Sequence, residues 1–197
     1  MRHFFLCRLS YLVCSPWVRL MLILRGIDVF GSMFAGFPYI NKAKGSTMKI
    51  GSNCRFMSNT IGNFIGINHK CMLTTNNIGA CLIIGNNCGF SGTSIWCFDS
   101  ITIGNNVRVG ANVVIMDGDA HQNDPRAGKN APVVIEDNVW IGVGVMVLKG
   151  VTIGRNSLIG AGSVVVKDIP ANTVAAGNPC KPIKELSAEV IKELEQQ

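Results

Sequence analysis

Along the C-terminal half of the chain, aliphatic residues stand six apart: Ile135, Ile141, Val147, Ile153, Ile159 and Val165. The same spacing links Ile103, Val109 and Ile115, then Ile84, Phe90 and Trp96, then Ile61, Ile67 and Leu73. A period of six fits neither the 3.6 residues of an α-helix nor the simple alternation of an isolated strand. It predicts coils of three short flat strands, each turning one apolar side chain inward. Small or left-handed residues then turn the corners, as in "IGNN" at 84–87 and 103–106, "IGRN" at 153–156 and "EDN" at 136–138. Such corners need backbone angles that glycine adopts freely and asparagine tolerates best among the rest. No coil can bury its own apolar row, so each relies on those above and below.

One stretch breaks this rhythm, "IMDGDAHQNDPRAGKNAPV" from Ile115 to Val133. Counting on from Ile115 puts repeat positions at 121, 127 and 133, yet 121 is a histidine and 127 an alanine in polar surroundings. The aliphatic pattern resumes at Val133 and Ile135. A loop over 116–132 is therefore expected to leave the coil, and a loop of that length in a rigid repeat is more often functional than accidental. Imidazole exchanges protons near neutrality, so His121 is suited to act as a general base. Asp119 and Asp117 precede it, and a nearby carboxylate can orient an imidazole. On chemistry alone, an ordinary solvated histidine on a surface loop serves equally well.

The two ends read differently from the coils. The segment 184–195, "KELSAEVIKELE", sets Leu186, Val190, Ile191 and Leu194 at helical spacing and predicts a closing helix. Residues 1–49 form a basic apolar segment. They hold seven Lys or Arg against Asp28 alone, whereas eleven bases balance eleven acids from residue 50 onward. The entire net charge of +6 thus sits at the N-terminus. Within residues 1–25, Pro16 and Arg19 interrupt the apolar run that a spanning helix needs, and Arg8 spoils a signal peptide. Two readings stay open there: a helix capping the body, or a surface-lying membrane element with Phe4, Phe5 and Trp17 in the interface. A neutral body offers no basic face to a nucleic acid, and none is expected as partner.

Eight cysteines include no C-x-x-C pair. Cys54, Cys71 and Cys88 recur 17 residues apart, which predicts reduced thiols filling the core of a protein in a reducing, cytoplasmic setting or at the inner face of the membrane.

From about residue 50 to 176 this pattern resembles the left-handed parallel β-helix of the hexapeptide-repeat transferases. The resemblance implies an all-β fold over 50–183, with a short N-terminal helical segment (1–49) and a C-terminal helix (184–197). "ITIGNNVRVGANVVIMDGDAHQNDP" is similar to the catalytic stretch of the acetyltransferases that modify sugars, the maltose and galactoside enzymes and the polysaccharide O-acetyltransferases among them. In that family a histidine in the extruded loop, followed shortly by Asp-Pro, deprotonates the acceptor hydroxyl. The resemblance assigns this role to His121, with Asp119 as its orienting partner and Asp117 and Asp124 toward the substrate. It also implies acetyl-CoA as co-substrate, bound along 133–183. Trp140 would flank it, Gly142, Gly160 and Ala161 would offer backbone contact, and Lys167 and Lys181 would meet its phosphates. "GNPCKPI" places Cys180 where alanine is more usual.

The family further implies a homotrimer with a site between neighbours, a sugar or saccharide acceptor from a surface polysaccharide or glycolipid pathway, and no metal. N-acetylation of an amino-sugar nucleotide is the alternative reaction, and a β-helix scaffold the alternative without catalysis. The zinc carbonic anhydrases of the same fold need three histidine ligands from neighbouring coils, and His3, His69 and His121 are poorly placed to supply them.

Overall fold

The computed structural model describes the chain apart from residues 1, 28, 61, 62, 64, 122 and 197 and the side chains of residues 2–8. The expected repeat position at Ile61 and the Phe4 and Phe5 side chains lie outside the described residues. Three parallel sheets run the length of a triangular prism, a left-handed β-helix. The first face holds Met33–Ala35, Arg55–Met57, Gly89–Ser91, Arg108–Ala111, Trp140–Ile141, Leu158–Ile159 and Thr173–Ala176. The second holds Tyr39–Lys42, Met72–Thr75, Ser94–Cys97, Val114–Met116, Met146–Val147 and Val164–Val165. The third holds Thr47–Ile50, Cys81–Ile84, Ser100–Ile103, Val133–Ile135 and Thr152–Ile153.

Each face stacks one inward residue per coil. On the first, Phe34, Phe56 and Phe90 lie in register, their rings parallel with centroids 5.0 Å apart. Toward the C-terminus Val109, Ile141, Ile159 and Ala175 follow them. The six-residue ladder from Ile135 to Val165 is fully buried. Trp96 departs from its expected inward place. Only five residues separate Phe90 from the inward residue of the next strand, which is Ile95, paired with Ile115. A slip of one residue turns a side chain to the opposite face of a strand, and Trp96 therefore points outward. It stacks between Thr74 and Met116, beside a second outward row on this face in which Met72, Ser94, Val114, Met146 and Val164 follow one another.

The corner between the third and first faces is an asparagine ladder. Asn87, Asn106, Asn138, Asn156 and Asn172 all have φ near +60°. Their side-chain amides donate to one another from coil to coil at 3.1, 3.0, 3.0 and 2.7 Å. Each amide offers both a donor and an acceptor, so one residue type serves as corner and as rung.

The coils begin at Met33, ahead of the expected boundary at residue 50. Four residues, 43–46, turn the corner before Thr47–Ile50, which stretches the period there and hides it from a count of six. At the other end, Lys181–Glu185 folds back antiparallel on Thr173–Ala176. The closing helix α2 therefore spans Ala188–Glu195, starting after Ser187, whose hydroxyl accepts from Val190 N. At the N-terminal end, helix α1 (Arg2–Leu24) plugs the open coil. Val18 and Leu22 pack into the main core with Ile27, Val29 and Phe34. Ser15 Oγ accepts from Phe34 N at 2.8 Å, and Arg19 Nε donates to Ser32 O at 2.7 Å.

Candidate active site

The loop leaves the prism at the corner between the second and third faces, after Val114–Met116 and before Val133–Ile135. Asp117 fastens its mouth. Two residues beyond Ile115, it keeps the inward parity of the strand and is fully buried. Its carboxylate accepts from Phe98 N at 2.6 Å and Asp99 N at 2.8 Å, on the same corner one coil earlier. Its carbonyl accepts from Ala131 N at 2.9 Å, where the loop returns. Asp117 is thus a structural anchor, and the expected contact with substrate is corrected: its carboxylate is fully buried and turned to the Phe98 and Asp99 amides, out of reach of a ligand on the surface.

Asp119 takes a different partner from the one expected. Its Oδ2 receives Lys149 Nζ at 2.5 Å, from the corner one coil later. This ion pair straps the loop to the following coil instead of orienting the imidazole. His121 is exposed, and no hydrogen-bond partner of its ring lies among the described residues. Its carbonyl accepts from Asp124 N at 2.9 Å, and Asp124 O accepts from Ala127 N at 2.8 Å, so consecutive turns shape the loop beyond it. Asp124 forms a bidentate pair with Arg126 at 2.9 and 2.7 Å. That guanidinium, helped by the Arg126 backbone N–H, holds the Asp124 carboxyl below the usual carboxylate range.

The remaining candidates fall in three places. Lys167 is exposed on the same corner as the loop. Gly142, Gly160 and Ala161 stack on the corner between the first and second faces. Lys181, also exposed, pairs with Ala176 beside that corner. Trp140 stands outward on the first face, 54% exposed, between Arg108 and Leu158. It borders a cleft of about 270 Å³ closed on its far side by Leu186, Val190 and Leu194. Within one chain, then, His121, Asp119, Lys149 and Lys167 share one corner, and the glycines with Lys181 share another across the width of the second face.

The glycine N–H groups are committed between coils. The Gly142 and Gly160 N–H groups donate to Ile159 O and Ala175 O, both at 2.8 Å. A Cβ on Gly142 would come within 2.6 Å of Ala161 N and 2.8 Å of Ile159 O, both backbone atoms. Their absent side chains let successive coils close up, and only Ala161 is exposed.

Two of the buried thiols, Cys71 and Cys97, are poor nucleophiles. Burial raises Cys71, while burial and then the Asp117 charge push Cys97 up to about 12. A thiol must ionise to attack. Sequence reasoning missed Lys149 because it lies 30 residues from Asp119 along the chain. The pairing of Ile115 with Val147 places it on the next coil of the same corner.

Residues 81–116 match the family described as hexapeptide repeat of succinyl-transferase, and residues 132–167 match bacterial transferase hexapeptide (six repeats). Galactoside O-acetyltransferase of Lactococcus lactis is 54% identical over 85 residues, 41% of each chain. The chain spans about half the length of the curated relatives it matches. Among solved structures, a galactoside acetyltransferase in complex with coenzyme A is 27% identical with a TM-score of 0.56, covering 95% of this chain and 80% of that one. The N-acyltransferase AntD from Bacillus cereus, with dTDP and 3-hydroxybutyryl-CoA, superimposes with a TM-score of 0.69 over 90% of this chain and 93% of its own. At 16% identity it shares the fold alone.

Proposed function

We propose that this hexapeptide-repeat protein is an acetyl-CoA-dependent O-acetyltransferase acting on a sugar hydroxyl, with His121 as general base. The observation that carries the reading is the loop itself. It leaves the coils between Met116 and Val133, it is anchored by Asp117 and strapped by Lys149, and it presents an exposed imidazole. A galactoside acetyltransferase that binds coenzyme A shares the fold over almost the whole chain.

In the reaction, His121 accepts the proton of the acceptor hydroxyl as that oxygen attacks the thioester carbonyl. The tetrahedral intermediate then collapses, the C–S bond breaks, and the imidazolium returns the proton to the departing thiolate. Transfer is direct, in keeping with the raised Cys71 and Cys97 thiols. Holding donor and acceptor together supplies an effective concentration of about 10⁵ M or more.

Three parallel prisms with their second faces turned to a common axis would cover the outward side chains of Met72, Trp96, Val114, Met116, Met146 and Val164, apolar area of the kind that a neighbouring subunit buries. In that ring, the loop corner of one chain meets the glycine corner of the next. His121, Lys149 and Lys167 would then border one groove with the neighbour's equivalents of Gly142, Ala161 and Lys181.

The direct test is thiol release from acetyl-CoA with galactosides, other neutral sugars and amino sugars as acceptors. Acetyl esters on a neutral sugar are the expected product. Amide products confined to amino sugars would replace O- by N-acetylation, and no acceptor-dependent release would overturn the enzyme reading.

Lys149→Met keeps the length and apolar stem of the side chain but frees the Asp119 carboxylate. Because a half-exposed ion pair stabilises by about 1 kcal/mol or less, urea unfolding is expected to change little. The loosened loop misplaces the imidazole, and kcat/KM for acetyl transfer is expected to fall about tenfold.

A further inference from the structure

Helix α1 is apolar on two opposite sides, and the coil covers only one. Cys14, Ser15, Val18 and Leu22 face the prism and are buried. On the far side, Leu9, Leu12, Val13, Pro16, Trp17, Leu20, Ile23 and Leu24 form a single stripe at helical spacing without one polar residue. Leu12 is 73% exposed, Trp17 65% and Leu24 78%. Phe30 and Phe37, just after the helix, are exposed as well. A helix apolar all round normally has partners on every side, and an uncovered patch of this extent marks an interaction surface.

Charge identifies the occupant. The stripe ends at Leu24, and Arg25 follows directly. Arg25, Lys42 and Lys44 line one open cleft of about 600 Å³ together with Tyr39. Arg25 donates to Ile40 O and Lys42 to Arg25 O, which fixes both cations beside the helix end. The chain's whole net positive charge lies in residues 1–49. An apolar ridge bordered by a basic cleft suits a surface that is itself apolar beneath an anionic layer. Among the described residues, no helix is long and apolar enough to cross a membrane, so the helix would lie along it.

We infer that α1 docks the protein onto an anionic lipid bilayer, the stripe entering the acyl boundary and the Arg25–Lys42–Lys44 cleft meeting lipid phosphates.

The experiment is co-sedimentation of the full chain with phosphatidylcholine vesicles, with and without phosphatidylglycerol. Wild type is expected to sediment with the anionic vesicles and much less with the neutral ones. The double variant Leu12→Glu/Trp17→Glu, altered only at exposed positions, is expected to lose about tenfold in partitioning. Lys42→Ala/Lys44→Ala is expected to lose the response to phosphatidylglycerol. Circular dichroism and acetyl transfer to a soluble acceptor, unchanged in both variants, keep membrane contact separate from folding and from the catalytic reading. The inference is overturned if wild type stays in the supernatant, or if neither variant changes sedimentation. It is also overturned if Leu12→Glu/Trp17→Glu instead lowers the mass measured in solution, which would assign the stripe to a second copy.

Discussion

Replacing His121 by alanine is expected to lower kcat for acetyl transfer by about 10³-fold, within the range that a positioned general base supplies. That loss corresponds to about 4 kcal/mol of transition-state stabilisation. A sugar hydroxyl stays protonated at neutral pH, and attack on the thioester without proton removal would generate an oxonium centre. The base therefore acts in the transition state and contributes little to holding acetyl-CoA. The KM for acetyl-CoA should stay near its wild-type value, placing the loss in kcat. Folding should be untouched, because the ring is exposed and has no hydrogen-bond partner among the described residues. The check is steady-state thiol release with an accepted sugar, alongside a thermal melt. A variant that retained wild-type kcat would remove His121 from the mechanism and return the loop to a structural feature.

The fold was legible because only inward positions of a coil must be apolar, which makes the period visible without any other signal. From Ile135 to Val165 every residue counted at six proved buried. The count failed where a corner changed length. The shortened turn after Phe90 moved the inward place from Trp96 to Ile95, and the longer turn at 43–46 concealed the first coil. Contacts between coils were the less legible part of the site. Sequence distance carries no direct information on which corner residues stack, so Asp119 was paired in the reading with His121, two residues away, and in the fold with Lys149. Asp117 was misassigned for a subtler reason. Its polar neighbours suggested a solvated loop, but strand alternation from Ile115 sends residue 117 inward, and parity outweighed composition. The spread of the cofactor candidates over two corners and the first face was beyond a linear reading, since it depends on which part of each coil a residue occupies.

That parity makes Asp117→Ala the most damaging substitution for the fold itself. It would leave the buried Phe98 N–H without its acceptor and release the Asp99 N–H, which belongs to an exposed residue. A buried orphaned donor costs about 1–3 kcal/mol while the Asp99 N–H can turn to water, so a loss near 2 kcal/mol is expected, a sizeable part of the stability of a domain this size. Asn is not a remedy, because one of its two side-chain groups is a donor and would face an N–H. Asp117→Asn should therefore recover only part of the loss. The damage also reaches the loop. Ala131 N still has the Asp117 carbonyl, but the residue bearing that carbonyl is no longer tied to the preceding coil. Loop closure and prism stability should then fall together, in contrast to Lys149→Met, which loosens the loop alone. Urea unfolding of the three variants measures this directly. The order expected is wild type and Lys149→Met close together, Asp117→Asn lower, and Asp117→Ala lowest. Wild-type stability in Asp117→Ala would mean that water reaches both amides and that the corner is open to solvent.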